Sequence, residues 1–418
     1  LDLRLLSLWI ASFGVSAAVT PIARRVGAGL GLLDHPDPRK LQRTAIPRTG
    51  GIGVLAGLAA GLGVLGALSG SLGVPIGREI FAICLGGLLV HGLGVLDDLW
   101  DIPAPAKLLA QSAAVGIVVW NGVTVEEISL GDARWSLGPF AAPLTAFFIL
   151  GFVNALNLVD GLDGLAGGIA SLAAFALAVT GALQGNLVLA ALSLVLLGST
   201  LGFLPYNFAK DRKAFLGDGG SMLLGYALAA AAVAGTRFAG GDPAPILVAM
   251  AAASVPILDT ATTIVRRARN GQGLFRADSM HVHHRLVRFG LTPSRTVLTI
   301  LAATLVIACQ FLAGLVEGLQ PLLAVSVLAA VLVTVGIRRA PRGVARQDND
   351  AGFREILFYL LGAQDGGTPR LRGDVALSEV LAGSRARPVT AASGARPEAR
   401  AVRSEGVESE SVAATVPE

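Results

Sequence analysis

GFVNALNLVDGLDGLAGG, Gly151 to Gly168, sets Asn154, Asn157, Asp160 and Asp163 into a run that is otherwise almost purely apolar. The nearest preceding Lys or Arg is Arg134 and the nearest following one is Lys210, so these carboxylates have no cationic partner nearby in sequence. Polar and ionisable groups beside long apolar segments are costly unless paired, wetted or metal-bound, which makes them functional candidates. Asn154 and Asn157 stand at i and i+3, on one face of a helix. Gly161 and Gly164 interrupt the pattern, placing Asp160 and Asp163 where a helix end becomes a loop. A cap explains one such side chain. Two Asp and two Asn exceed what capping requires.

The apolar background fixes the class. Of 418 residues, 53% are hydrophobic and 15% charged, with a mean hydropathy of +0.67. Soluble domains carry roughly 25% charged residues, so the composition is that of an integral membrane protein. Each helical span needs about 20 apolar residues, and such runs recur along most of the chain. The ten-residue alternating segments of a membrane β-barrel are absent. A net charge of +4 is explained by basic loops on one side of a membrane and does not call for nucleic acid. Cys84 and Cys309 fall inside apolar segments, so neither a disulfide framework nor a thiolate metal site is implied.

The expected fold is all-α, with eleven spans. Leu3–Ile22 is the first. The charge following it, Arg24 and Arg25, is the reverse of a signal peptide, so it reads as an uncleaved span with an outside N-terminus. The others lie near 50–69, 78–96, 105–120, 139–156, 164–182, 187–205, 218–235, 244–264, 296–315 and 321–337. Alternating sides puts Arg24–Arg48, the loop of Lys210, Arg212 and Lys213, Arg266–Arg295 and the tail from Arg338 together. The opposite loops hold little beyond Arg134 and Arg237, which makes the first side cytoplasmic. Two regions follow: a membrane-embedded domain over 1–340 and a largely disordered cytoplasmic tail over 341–418.

Four polar clusters emerge on that cytoplasmic side. Asp97, Asp98 and Asp101 crowd the end of the third span, where acids oppose the helix dipole and need a cation; none follows until Lys107. Asp218 sits among glycines where an apolar span begins, after Asn207 and Lys210. A simple helix cap and a phosphate-facing group account for it equally well. His281, His283, His284 and Arg285 form a cationic patch better suited to a diphosphate than to zinc. On a helix His281, His284 and Arg285 would share a face and His283 would point elsewhere. Asp259 in PILDT is as well explained by a structural hydrogen bond as by catalysis. Carboxylates with Arg, Lys and His are the apparatus of Mg²⁺-assisted phosphoryl transfer, and the membrane setting makes one substrate a lipid.

DDLWD at 97–101, NALNLVDGLDGLAGG at 154–168, FLGDGGS at 215–221 and HVHHR at 281–285 resemble the polyprenyl-phosphate N-acetylhexosamine-1-phosphate transferases, the superfamily of phospho-N-acetylmuramoyl-pentapeptide transferase. RKLQRTAIPRTGG at 39–51 is similar to that family's first cytoplasmic loop and PILDT to its ninth span. Gln42 and Ser279 depart from the pattern. The resemblance implies transfer of a sugar-1-phosphate, GlcNAc-1-phosphate on the HVHHR motif, from a UDP-sugar to undecaprenyl phosphate with release of UMP. It implies Mg²⁺, with Mn²⁺ as the alternative, on Asp218, Asp97 and Asp98, which are also the catalytic candidates. Arg39, Lys40, Lys107, Asn154, Asn157, Asp160, Asp163, Asn207, His281, His283, His284 and Arg285 are the implied substrate contacts. Expected partners are the polyprenyl phosphate, the UDP-sugar, the bilayer and a second copy of the chain in a homodimer, in a bacterial cytoplasmic membrane and in cell-envelope polysaccharide synthesis. Alternatives are a muramoyl-pentapeptide or other UDP-HexNAc donor and, from another class, a transporter. Transporter charges lie near the midplane in broken helices, whereas these lie at span ends. A CDP-alcohol phosphotransferase would need an Arg and trailing acids that DGLDGLAGG lacks.

Overall fold

In hydrocarbon every backbone N–H and C=O must be paired internally, so long apolar runs resolve as helices. The computed structural model describes residues 2–36, 44–130, 132–271 and 281–315. Arg39 and Lys40, the span expected at 321–337 and the tail lie outside the described residues. The chain opens with α1 (Leu3–Gly29), then a short antiparallel pair, β1 (Leu33–Asp34) and β2 (Ile46–Pro47), in the register Leu33↔Pro47. Next come α2 (Gly50–Leu72), α3 (Arg78–Trp100) and α4 (Ala104–Trp120). A hairpin, β3 (Glu127–Leu130) with β4 (Ala133–Ser136), precedes α5 (Ala141–Val159), α6 (Leu165–Gln184), α7 (Leu187–Phe208) and α8 (Gly217–Phe238). The described part ends with α9 (Ala244–Ala252), α10 (Ser254–Arg269), α11 (Val282–Arg288) and α12 (Pro293–Leu315).

Eight of these helices are long and apolar enough to cross a membrane, nine if α9 and α10 form one broken span. The protein is a multi-pass membrane protein. α4, at 17 residues, rises about 26 Å and falls just short of a bilayer core of about 30 Å. The sequence reading of one continuous span over 244–264 needs correcting: α9 and α10 meet at Ala253 with a bend of 72°. Pro256 supplies no N–H to the Ala252 carbonyl and its ring crowds that turn, so the helix breaks there. α10 is correspondingly amphipathic, ending in Arg266, Arg267 and Arg269.

α8 is the hub. It packs against α3, α5, α2, α7, α9 and α6, and nearly every position of its apolar stretch is buried. Its Gly- and Ala-rich sequence permits this, because small residues let membrane helices approach closely. α3 comes close enough that a Cβ on Gly94 would stand 2.4 Å from the Gly219 nitrogen and 2.5 Å from the Asp218 carbonyl. That contact brings the end of α3 against the start of α8.

Candidate active site

The residue order in α3 sets the first part of the site. Asp97 and Asp98 occupy its last turn, and Asp101 ends it in the left-handed conformation, φ 46°. Asp101 is exposed and serves the helix end. One Asp97 oxygen accepts the Ile102 N–H at 2.9 Å, and its other oxygen receives the ammonium of Lys107 from α4. The same ammonium lies 3.0 Å from Asp218 Oδ2. Asp218 stands in the first turn of α8 without capping it, and its side chain is 37% exposed. The cap reading of Asp218 therefore falls away.

Asp98 is nearly enclosed, 3% exposed, 3.4 Å from both Arg48 Nη1 and the Gly219 N–H. Arg48, which follows β2, also pairs with Asp34 of β1. β2 is held in place because the Phe215 N–H donates to the Pro47 carbonyl at 2.8 Å, tying it to the lead into α8. Arg48 and Asp34 were not singled out as site residues. Arg48 lies within the first-loop motif at 39–51, whereas Asp34 has no sequence signal beyond standing just before that basic loop.

Asp160 ends α5, as the glycine pattern predicted, and Gly164 (φ 76°) starts α6. Asn157 Nδ2 donates to Ser221 Oγ at 3.0 Å, linking α5 to the turn that bears Asp218. Asn154, one turn deeper, donates instead to Gln111 at 2.9 Å and lies among the helices rather than in the acid cluster. Asp163 pairs with Lys213 at 2.5 Å. Asn207 accepts the Gly164 N–H at 2.5 Å and donates to the Ala214 carbonyl at 3.1 Å, so both ends of its amide hold the loop. Asp160 keeps partial contact with solvent, yet the surrounding protein, then Asp218, Asp98 and Asp163, push its carboxyl well above the usual carboxylate range. The carboxylates of α3, the α5–α6 loop and α8 thus share one electrostatic site.

α11 lies against this loop. A Cβ on Gly161 would stand 2.4 Å from His283 Nε2, so the loop must have glycine there for the ring to fit. His283 is the most buried of the three histidines, with no hydrogen bond to either ring nitrogen. Burial, then His284 and His281, pushes it down to about 3. The expectation that His283 points away from the patch is corrected: helical spacing ranks faces, but the loop docked on α11 decides which is covered. The ring packs against the loop at Gly161 instead of facing solvent. Its ring stacks parallel on that of His281, centroids 6.0 Å apart, and lies 4.2 Å from His284. Arg285 is 2% exposed and so is no solvent-facing topogenic charge.

Among the described residues no three His, Cys, Asp or Glu side chains converge as a preformed metal cage. Mg²⁺ does not require one, since it commonly takes one or two carboxylates, waters and substrate phosphates. Asp97 and Asp218 already share one cation, the Lys107 ammonium, so the donor set suits a hard divalent ion.

Membrane-crossing helices with clustered carboxylates, Lys and Arg at one end define a polytopic membrane protein with an ionic site at the helix ends. Residues 80–236 match glycosyl transferase family 4. The chain is 36% identical over 305 residues to a probable undecaprenyl-phosphate N-acetylglucosaminyl 1-phosphate transferase of Bacillus subtilis, covering 71% of this chain and 81% of that protein. It is 34% identical to the decaprenyl-phosphate N-acetylglucosaminephosphotransferase of Mycobacterium tuberculosis, over 70% of this chain and 79% of that one. To the undecaprenyl-phosphate alpha-N-acetylglucosaminyl 1-phosphate transferase of Escherichia coli K12 it is 32% identical, with the same coverage. The chain belongs to the polyprenyl-phosphate N-acetylhexosamine-1-phosphate transferase family.

Proposed function

We propose that this protein transfers GlcNAc-1-phosphate from UDP-GlcNAc to undecaprenyl phosphate, releasing UMP, as the first membrane step of a cell-envelope polysaccharide. The observation that carries the reading is the Lys107 ammonium shared by Asp97 and Asp218, with Asp98 and Arg48 beside it at the helix ends. The names of the relatives support the transferred GlcNAc-1-phosphate and the polyprenyl phosphate acceptor. An oxygen of the lipid phosphate attacks the sugar-bearing phosphorus, a new P–O bond forms, and the bond to the UMP phosphate breaks. A phosphate monoester has its second pKa near 6, so the acceptor is mostly dianionic at neutral pH and charge shielding outweighs general-base work.

Asp218, with Asp97 and Asp98, would hold Mg²⁺, which when bound neutralises the diphosphate charge. Lys107 and Arg48 then orient phosphate oxygens, since both are cations already gathered at the acids. Asn157 holds the Asp218 turn, and Asp160 and Asp163 shape the nucleotide side with α11. The acid cluster belongs on the cytoplasmic face of the bacterial inner membrane in this reading, where nucleotide sugars are made. The chain is taken to act as a homodimer.

Purified protein in detergent should release UMP from UDP-GlcNAc only with undecaprenyl phosphate and Mg²⁺ present. Release without the lipid would overturn the reading, and lipid labelling only from UDP-MurNAc-pentapeptide would replace the donor. Reporters fused after Asn121 and Gly240 should read external, and those after Asp211 and Asn270 cytoplasmic. A cytoplasmic signal at Asn121 would reverse the orientation.

A further inference from the structure

Asp259 lies early in α10, just beyond the 72° break, and is buried. Its two oxygens have separate tasks. Oδ1 accepts the Val282 N–H at 2.9 Å, securing the start of α11, and Oδ2 lies 2.9 Å from His281 Nδ1. A carboxylate can only accept, so the imidazole presents Nδ1–H to Asp259 and leaves Nε2 as the nitrogen available to a substrate. His281 is itself buried, and its ring stacks on that of His283, which rests on Gly161 between Asp160 and Leu162. His281 therefore belongs to the wall of the acid site, while both Asp259 oxygens are engaged behind it.

We infer that Asp259 is a positioning residue for the sugar-phosphate transfer, acting through His281, whose ring orientation and tautomer it sets. The inference rests on the transferase reading above. A carboxylate that orients an imidazole fixes which nitrogen meets the reacting group, and the loss of that orientation is felt in turnover rather than in folding. The break between α9 and α10 gains a purpose: it sets Asp259 beside α11, across the sequence gap of 22 residues separating it from His281. The competing account is that Asp259 only secures the start of α11.

Asp259→Asn separates the two. Its Oδ1 still accepts the Val282 N–H, but its Nδ2 now faces His281 Nδ1 and forbids the Nδ1–H form. With UDP-GlcNAc and undecaprenyl phosphate, Asp259→Asn should lower kcat/KM at least tenfold while the unfolding midpoint stays within a few degrees. His281→Asn should cost as much, and the double variant no more than the worse single one, because residues acting as a unit are not additive. Asp259→Asn within threefold of the wild type, or a double loss equal to the product of the single losses, overturns the inference. Should the variant fail to insert, ¹⁵N-histidine spectra of the wild-type protein, with His281→Asn used for assignment, decide instead. A signal from Nδ1-protonated His281 supports the inference, and an unprotonated Nδ1 overturns it. Absence of UMP release by the wild type sinks the transferase reading, whereas wild-type turnover with an indifferent Asp259→Asn sinks this inference alone.

Discussion

The two ends of the helical bundle carry charge in opposite ways. At the far end Arg237 lies 3.1 Å from Glu126 and 3.6 Å from Glu79, and Arg134 lies 3.3 Å from Glu127. Most of these side chains are open to solvent, and exposed pairs of this kind contribute roughly 0–1 kcal/mol. At the acid end Asp34, Asp97, Asp98 and Asp218 are drawn together around Arg48 and Lys107, with Asp160 beside them. Asp98 and Asp34 are almost fully enclosed. One end is a solvated surface. The other holds, among the described residues, more carboxylates than the cations beside them, an arrangement that costs stability and is explained by a ligand bringing charge of its own.

Neutralising an acid at the site end should separate the ends most sharply. Asp218→Asn and Asp97→Asn should each reduce UMP release at least about 100-fold, the scale of losing a transition-state contact, with normal insertion and unfolding. Near-normal turnover in Asp218→Asn would remove the basis for a metal there. Arg285→Ala comes next, with turnover down at least about tenfold, since a hydrogen bond to a charged group is worth about 1.5–3 kcal/mol. The exposed Arg269→Ala should stay within about twofold of wild type. Equal effects would mean that the buried Arg285 takes no part in turnover.

Gly161→Ala tests the seat of α11. The new methyl meets the His283 ring at 2.4 Å, and overpacking of this kind costs about 1–3 kcal/mol. A lowered unfolding midpoint with slowed turnover is expected, and an unchanged midpoint would mean that α11 does not dock there. Proton linkage offers a finer test, because the two neighbours have opposite signs. Asp160 is raised above 3.8, so its contribution to stability is complete below that pH and is lost as pH rises through its folded-state value. His283 is lowered from 6.5 to about 3, so stability is lost as pH falls through that window. Asp160→Asn should therefore raise the unfolding midpoint at pH 7, and His283→Gln should flatten the acid limb between pH 6.5 and 4. The smallest effect belongs to the far end: Arg237→Ala should change stability by no more than about 1 kcal/mol and leave UMP release unaltered. A large loss of turnover there would break the contrast between the ends.

The spans were legible because hydropathy is a local property. The α5 end at Val159 and the start of α8 at Gly217 fall where the polar interruptions place them. The gathering of the acids at one end was legible too, since alternating spans leave each loop only one of two sides. The break at Ala253 was less so, because Pro256 by itself does not say whether a helix kinks or divides into two.

Residue order alone determined a many-span helical membrane protein with its carboxylates at one set of helix ends, because each of those facts depends on neighbours within a turn or two. It left open which cation each acid meets. Lys213 reaches Asp163 and Arg48 reaches Asp98, each across 50 residues, and Lys107 joins Asp97 to Asp218 across two helices. Only the tertiary structure decided these pairings, along with the burial of His283 and the hold of Asp259 on His281. They depend on how closely α3, α5, α8 and α10 approach. That distance is set by small residues such as Gly94 and Gly161, whose importance lies in what their missing side chains allow a distant segment to do.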